Sequence, residues 1–285
     1  MTSSAVSPGV EPAPNPAYLT PNVRNPEAAR ARNHAILVNV ARVLLVVVVI
    51  AAWQYFGPKI GKVTASSPSD VVSAFKTWAS SGQLGRDIGS TMEEVVLGYI
   101  FGSLVGIILG VLLASAQFIA ELLDPFIMAL FGIPLIALGP LMVVWFGIGL
   151  EPKVVLSAVL VFFFVFYSTY EGVRSVDRSL VTAAKLMGAS NFQVRKHITM
   201  PGARSNILLG LRMGVPQALV GAIVGEFISS SKGIGYHIQF ATSELDTGGV
   251  FAGLVLLAAV ALLLNGLVRI GAKNRSARPM VSPGP

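Results

Sequence analysis

Few residues in this 285-residue chain combine the type and spacing that chemistry requires. Its three histidines, His34, His197 and His237, lie in separate segments without metal-ligand spacing, and cysteine is absent. No G-x-x-x-x-G-K-[ST] phosphate loop, G-x-S-x-G nucleophile turn or H-E-x-x-H zinc helix occurs. The reading is of a non-enzyme with no catalytic residue, no metal ligands and no cofactor of its own. Two ionisable residues, Arg212 and Glu226, fall inside one long apolar run, where a charge costs roughly 2.5–3.5 kcal/mol at the centre of a membrane span. They lie about 21 Å apart along a helix and cannot pair with each other. Arg212 either snorkels or pairs with another helix, and Glu226 either lines a pathway mouth or gate or makes an interhelical hydrogen bond. Arg42 fits a snorkelling anchor.

A second cluster of informative residues lies between the apolar runs, in a long basic segment from about Glu171 to Asn206. In SLVTAAKLMGAS, Leu180, Ala183, Ala184 and Met187 recur at helical spacing, and Gly188 supplies the left-handed residue that ends a helix. NFQVRKHI then starts a short second helix at Asn191, capped by Ser190 and running to about Pro201. The segment reads as helix, glycine turn, helix, proline.

The elements that position these residues are membrane spans. The chain is 53% hydrophobic and only 12% charged, an excess of apolar surface that must face lipid. Six segments reach the roughly 17–25 residues a crossing needs: Leu37–Phe56, Val95–Ala116, Phe126–Phe146, Val154–Tyr170, Ile207–Ile228 and Val250–Ile270. The fourth is the shortest. The predicted fold is all-α and polytopic, with a membrane domain over 35–271 and cytoplasmic tails over 1–34 and 272–285. The proline-rich first tail reads as disordered, and the first apolar run begins too late for a cleaved signal peptide. Fifteen of the twenty-one Lys and Arg lie on the inner side when both termini are cytoplasmic, in the tails, the 171–206 loop and, as Arg42, Arg212 and Arg269, toward the inner ends of spans, which sets that orientation. Lys153 counts among the six outer cations. The net charge of +7 is thereby explained by topology, and no nucleic-acid partner is implied.

Packing signals complete the pattern. Gly98, Gly102, Gly106 and Gly110 stand four apart in the second span, and Gly210, Gly214, Gly221 and Gly225 mark the fifth. Such rows let helix backbones approach closely, either within one chain or across a dimer seam. Pro134, Pro140 and Pro216 predict kinks, at a translocation path or as structural bends. Ser67 to Gly82 predicts a short amphipathic helix on the outer side, with its N-cap near Ser69 and Asp70 and with Val71, Val72, Phe75 and Trp78 on its apolar face.

The loop TAAKLMGASNFQVRKHITMP resembles the EAA loop of bacterial ABC-importer permeases: Ala183, Ala184, Gly188, Ile198 and Pro201 keep its spacing. Thr182 stands where that family usually has Glu, and Met200 where it has Leu. Similarity extends over residues 70–270, where IPLIALGPLMVVWFGIGLEPKV, LLGLRMGVPQALVGAIVGEF and SKGIGYHIQFATSELDTGGVFA resemble the branch serving nitrate, sulfonates, taurine and pyrimidine precursors. Glu93 and Glu94 depart from an arginine frequent in sulfonate-type members, which leans toward the pyrimidine-precursor type. The resemblance implies a type I importer permease in the bacterial inner membrane, paired with itself or a related permease. It further implies cytoplasmic ATP-binding subunits that hold ATP and magnesium, with the short helix near Ala183 to Ser190 seated in a groove on them, and an external substrate-binding protein; the loop positions that carry the coupling are Thr182, Ala183, Ala184, Gly188, Ile198 and Pro201. An ion-gradient-driven secondary transporter is the alternative, but the spans carry no obvious carboxylate relay.

Overall fold

A computed structural model describes residues 26–273, and every regular element among them is helical. The chain divides into two compact units, Met1–Trp53 and Gln54–Pro285. The first consists of most of α1 (Pro26–Ile60), where Leu44, Val46 and Val48 are each more than half exposed. A helix apolar on all sides is stable in that state only when lipid is the solvent.

The second unit begins with α2 (Lys62–Ala65) and α3 (Pro68–Ser80). Helix α3 starts at Ser67, whose Oγ accepts the Asp70 N–H at 3.3 Å, so the cap lies two residues before the one expected. Pro68 dictates this, because proline fits the first helical turn, where no donor is needed. Val71 and Trp78 are buried and α3 packs on other helices of its own unit.

The bundle is built from α4 (Gln83–Ser115), α7 (Glu151–Arg174), α10 (Met200–Ser229) and α12 (Thr247–Lys273). Helix α7 lies between α4 and α10, and small residues make both approaches possible. A Cβ on Gly102 would strike the Ala158 carbonyl and Val161, and one on Gly110 would strike Thr169. On the other side, Gly221 meets the Ser157 backbone, Gly210 meets Ser168 and Gly225 meets Lys153. The glycine rows are therefore filled within the chain. Close backbone approach multiplies dispersion contacts, the main attraction available where lipid removes the hydrophobic drive.

Among the described residues, five helices are long and apolar enough to cross a membrane: those covering Ile36–Ile60, Gln83–Ser115, Glu151–Arg174, Asn191–Ser229 and Thr247–Val268. The expected continuous span Phe126–Phe146 is instead broken. Helix α5 (Gln117–Phe131) stops before Pro134, a 3-10 turn covers Leu135–Leu138, and α6 (Gly139–Phe146) restarts with Pro140 in its first turn. Proline disfavours a helical conformation in the residue before it and lacks a donor, so two prolines six apart divide the segment. The fourth span is longer than expected, 24 residues, because Glu151 to Lys153 at one end and Glu171 to Arg174 at the other are helical rather than loop.

The 171–206 segment forms α8 (Arg178–Leu186) and α9 (Asn191–Val194). The second helix does not end at Pro201. A π-turn over Arg195–Thr199 carries it into α10, with the Met200 N–H bonding the Arg195 carbonyl. This wider register brings Pro201, which has no N–H to give, into the first turn of α10 without a break. Helix α11 (Ile234–Ser243) links α10 to α12.

Candidate functional site

Two sites stand at opposite ends of the bundle. At one end lie the C-termini of α4 and α7 and the start of α10, with α8 and α9 between them. Asp177 caps α8, its Oδ1 accepting the Ser179 N–H at 2.8 Å, a bond that holds the carboxyl below its ordinary pKa. The other end of α8 is closed by a Schellman motif. Ala189 N–H donates to the Ala184 carbonyl and Gly188 N–H to that of Lys185, both at 3.0 Å, with Gly188 at φ +86°. Ser190 and Gln193 then form a reciprocal capping box for α9, with bonds of 3.3 and 2.7 Å. Both short helices are thus fixed by side chains and backbone rather than left as a loose loop.

This rigid turn presents apolar side chains outward. Leu186 is 84% exposed, Met187 82% and Leu180 55%, while Ala184 and Val194 are buried beneath them. On α8, Leu180, Ala183 and Met187 share one face, and Arg178, Val181, Thr182 and Lys185 share the opposite one. Thr182 therefore points away from the Leu180–Met187 stripe. Ile198 lies in the π-turn and Pro201 at the start of α10.

At the other end, α4 carries Asp87, Thr91 and Glu94 on one face. Glu94 is fully buried and ion-paired with Lys153 of α7, whose Nζ also donates to Ser230 Oγ at 3.2 Å. Thr91 donates to Glu226 Oε1 at 2.6 Å, and Trp78 Nε1 donates to Asp87 Oδ2 at 2.8 Å. The backbone entering α11 supplies further donors: Gly233 N–H donates to Asp87 (2.8 Å), Ile234 N–H to Thr91 (3.0 Å) and Gly235 N–H to Glu226 Oε2 (2.6 Å). A Cβ at Gly233 or Gly235 would collide with the Glu226 carboxylate, so glycine is required there, and Gly233 also has φ +116°. Carboxylates at a helix N-terminus are favoured by its free amides and dipole. His237 of α11 stacks on Trp78 at 3.6 Å with the rings parallel within 2°, and burial pushes its imidazole pKa down.

These assignments revise several expectations. Of its two readings, Glu226 makes the interhelical hydrogen bond, accepting from Thr91 of α4 while its second oxygen holds the Gly235 amide of α11, and it is 1% exposed. Arg212 is exposed on α10, away from this cluster. Lys153, counted as a loop cation, is a buried helix residue. Asp87 and Thr91 went unnoticed and Glu94 was read only for its bearing on the solute, although the spacing of the three continues the stripe of Gly98, Gly102, Gly106 and Gly110. Asp124 of α5 was likewise missed. It accepts from Arg174 at 2.6 Å and Tyr170 at 2.8 Å and ties the broken crossing to α7.

A glycine-rich bundle carrying a capped, apolar-tipped loop at one end invites comparison with known transport proteins. The family of inner membrane components of binding-protein-dependent transport systems matches residues 102–276. The chain belongs to this family. Among family members, it is 34% identical to the putative aliphatic sulfonates transport permease protein SsuC of Bacillus subtilis, covering 80% of this chain and 83% of that one. It is 29% identical to the formylaminopyrimidine transport permease protein ThiX of Halalkalibacterium halodurans, over 77% and 88%. The fold is similar to a chain of the MetNI methionine ABC transporter in an inward-facing conformation. The TM-score is 0.60 at 18% identity, covering 69% of this chain and 97% of that one. The permease fold and the transport role of the chain follow from these relations.

Proposed function

We propose that this permease couples to cytoplasmic ATP-binding subunits through the α8–α9 turn and conducts a small solute delivered by an external binding protein. The solute class is that of its relatives, a sulfonate of the aliphatic or taurine type or a formylaminopyrimidine. The observation that carries the reading is the Leu180, Leu186 and Met187 surface on a doubly capped helix end. Large apolar side chains held rigidly in the open have the chemistry of interface anchors, which lose little entropy on docking. In this reading both termini and the α8–α9 turn are cytoplasmic, and the Glu94–Lys153 end faces outward. ATP-driven closure of the motor moves α8 and biases the bundle between two states. A pair of permeases completes the pathway. The Gly98–Gly110 row is occupied by α7, so the pair meets on another face.

The coupling role is tested by Met187→Asp in proteoliposomes containing the ATP-binding subunits and binding protein. ATP-dependent uptake should fall roughly tenfold or more while the permease remains folded, because a charge at an anchor position disrupts the contact. Normal uptake with normal ATPase assembly would overturn it. Competition among taurine, an alkanesulfonate and formylaminopyrimidine for uptake then assigns the solute.

A further inference from the structure

The face of α8 opposite the Leu180–Met187 stripe closes a cavity of about 500 Å³ against the ends of α4, α5 and α7 and the start of the π-turn. Its lining is unusually cationic. Arg178 and Lys185, two turns apart on α8, and Arg195 of the π-turn all border it, together with the polar groups of Thr182, Asn191 and Thr199. Arg174 also lines it but is committed to Asp124. Glu121 is the one acidic residue in the lining among the described residues. None of Arg178, Lys185 and Arg195 forms an ion pair among the described residues. Three such cations held around one concavity repel one another, and that repulsion is relieved when an anion enters. Because these cations border the chain's own cavity, they do not share the exposed docking stripe.

We propose that this cavity binds a tetrahedral oxyanion, a phosphate or sulfonate group borne on a small organic moiety. Arg178, Lys185 and Arg195 supply charge-assisted hydrogen bonds to its oxygens, and Thr182, Asn191 and Thr199 complete its coordination. The cavity volume exceeds what a bare oxyanion fills, so the organic part occupies the space beside Val173, Val176 and Val181. An occupant joins α8 to the ends of α4 and α7, and so stiffens the turn relative to the bundle. The anionic group has two possible sources, a phospholipid headgroup of the adjacent leaflet or a soluble anion. The proposal does not depend on docking of an ATP-binding subunit.

The test uses the full chain in nanodiscs, with glycerol 1-phosphate as the soluble probe and phosphatidylglycerol as the lipid probe, at constant ionic strength set with chloride. In phosphatidylcholine discs, glycerol 1-phosphate should raise the unfolding temperature with a saturable dose dependence. Arg195→Gln should weaken the apparent affinity roughly tenfold, as expected for one lost charge-assisted bond. Thr182→Glu, at an exposed position that leaves the fold intact, should weaken it by a similar factor by placing a carboxylate in the site. If phosphatidylglycerol in the disc removes the response to glycerol 1-phosphate, the headgroup is the occupant; if the response persists, the soluble anion is. Absence of a response to both probes, or equal responses in wild type and both variants, would overturn the proposal. Should Arg195→Gln fail to insert, Thr182→Glu and Lys185→Gln decide the matter.

Discussion

Glu94 of α4 and Lys153 of α7 form an ion pair from which water is excluded, their side chains 0% and 4% exposed. The pair joins two helices that otherwise meet through glycine and small side chains, at the level where α10 and α11 also converge. Breaking a buried pair leaves an uncompensated charge, at a cost of about 3–5 kcal/mol. Lys153→Met should therefore lower thermal stability sharply, and Lys153→Met with Glu94→Gln should recover a substantial part of the loss. A double variant no more stable than the single one would show that the pair acts through something other than charge compensation.

The glycine stripe offers a steric test. Gly102→Leu must displace the Ala158 carbonyl and Val161, both on a rigid helix, and should cost roughly 3 kcal/mol or more. Gly266 of α12 has open space where a Cβ would go, so Gly266→Ala should be neutral or stabilise by about 0.5–1 kcal/mol through reduced chain entropy. Thermal unfolding of purified protein in detergent reads both variants, and equal effects would refute the packing assignment.

Asp124 carries a pH-dependent contribution. Hydrogen bonds from Arg174 and Tyr170 hold its carboxyl below the usual range. Folded pKa below unfolded pKa means that the contribution is present above about pH 3.9 and is lost as pH falls through the folded value. The stability difference between wild type and Asp124→Asn should thus be constant near neutrality and shrink under acid. A difference that grows on acidification would contradict the assignment.

His237 provides a spectroscopic readout. Burial lowers its pKa, while Asp87 and Asp246 oppose the shift. A base with a depressed folded pKa stabilises the fold above its unfolded pKa of about 6.5, and that stability is lost as pH falls through the folded value. Trp78 stacks on the ring, so protonation should quench its fluorescence. With Trp53 and Trp145 replaced by Phe, the quenching midpoint should lie below about pH 6.5 and vanish in His237→Phe. A midpoint at or above that value would show that the imidazole is not desolvated.

Span positions were largely legible because the length and apolarity of a crossing are local properties. Gly188 as a helix stop and Ser190 as a cap were equally legible, since a Schellman turn and a capping box are formed by neighbours in sequence. The continuous third span was misread, because hydropathy counts Pro134 and Pro140 as tolerable residues while the backbone cannot carry helical bonds through them. The run of helix past Pro201 was missed for the converse reason: a π-turn shifts the register so that the proline costs nothing.

The sequence by itself determined the membrane class, the capped loop and the stripe of small residues on α4, all of which depend on spacing along one chain segment. Only the tertiary structure decided what the stripe faces. It also decided that Glu226 serves the amide of Gly235, and that Glu94 meets Lys153 across fifty-nine positions of sequence. The partner of a buried charge is set by which helices pack together, and that choice depends on the summed packing of whole faces rather than on any local pattern.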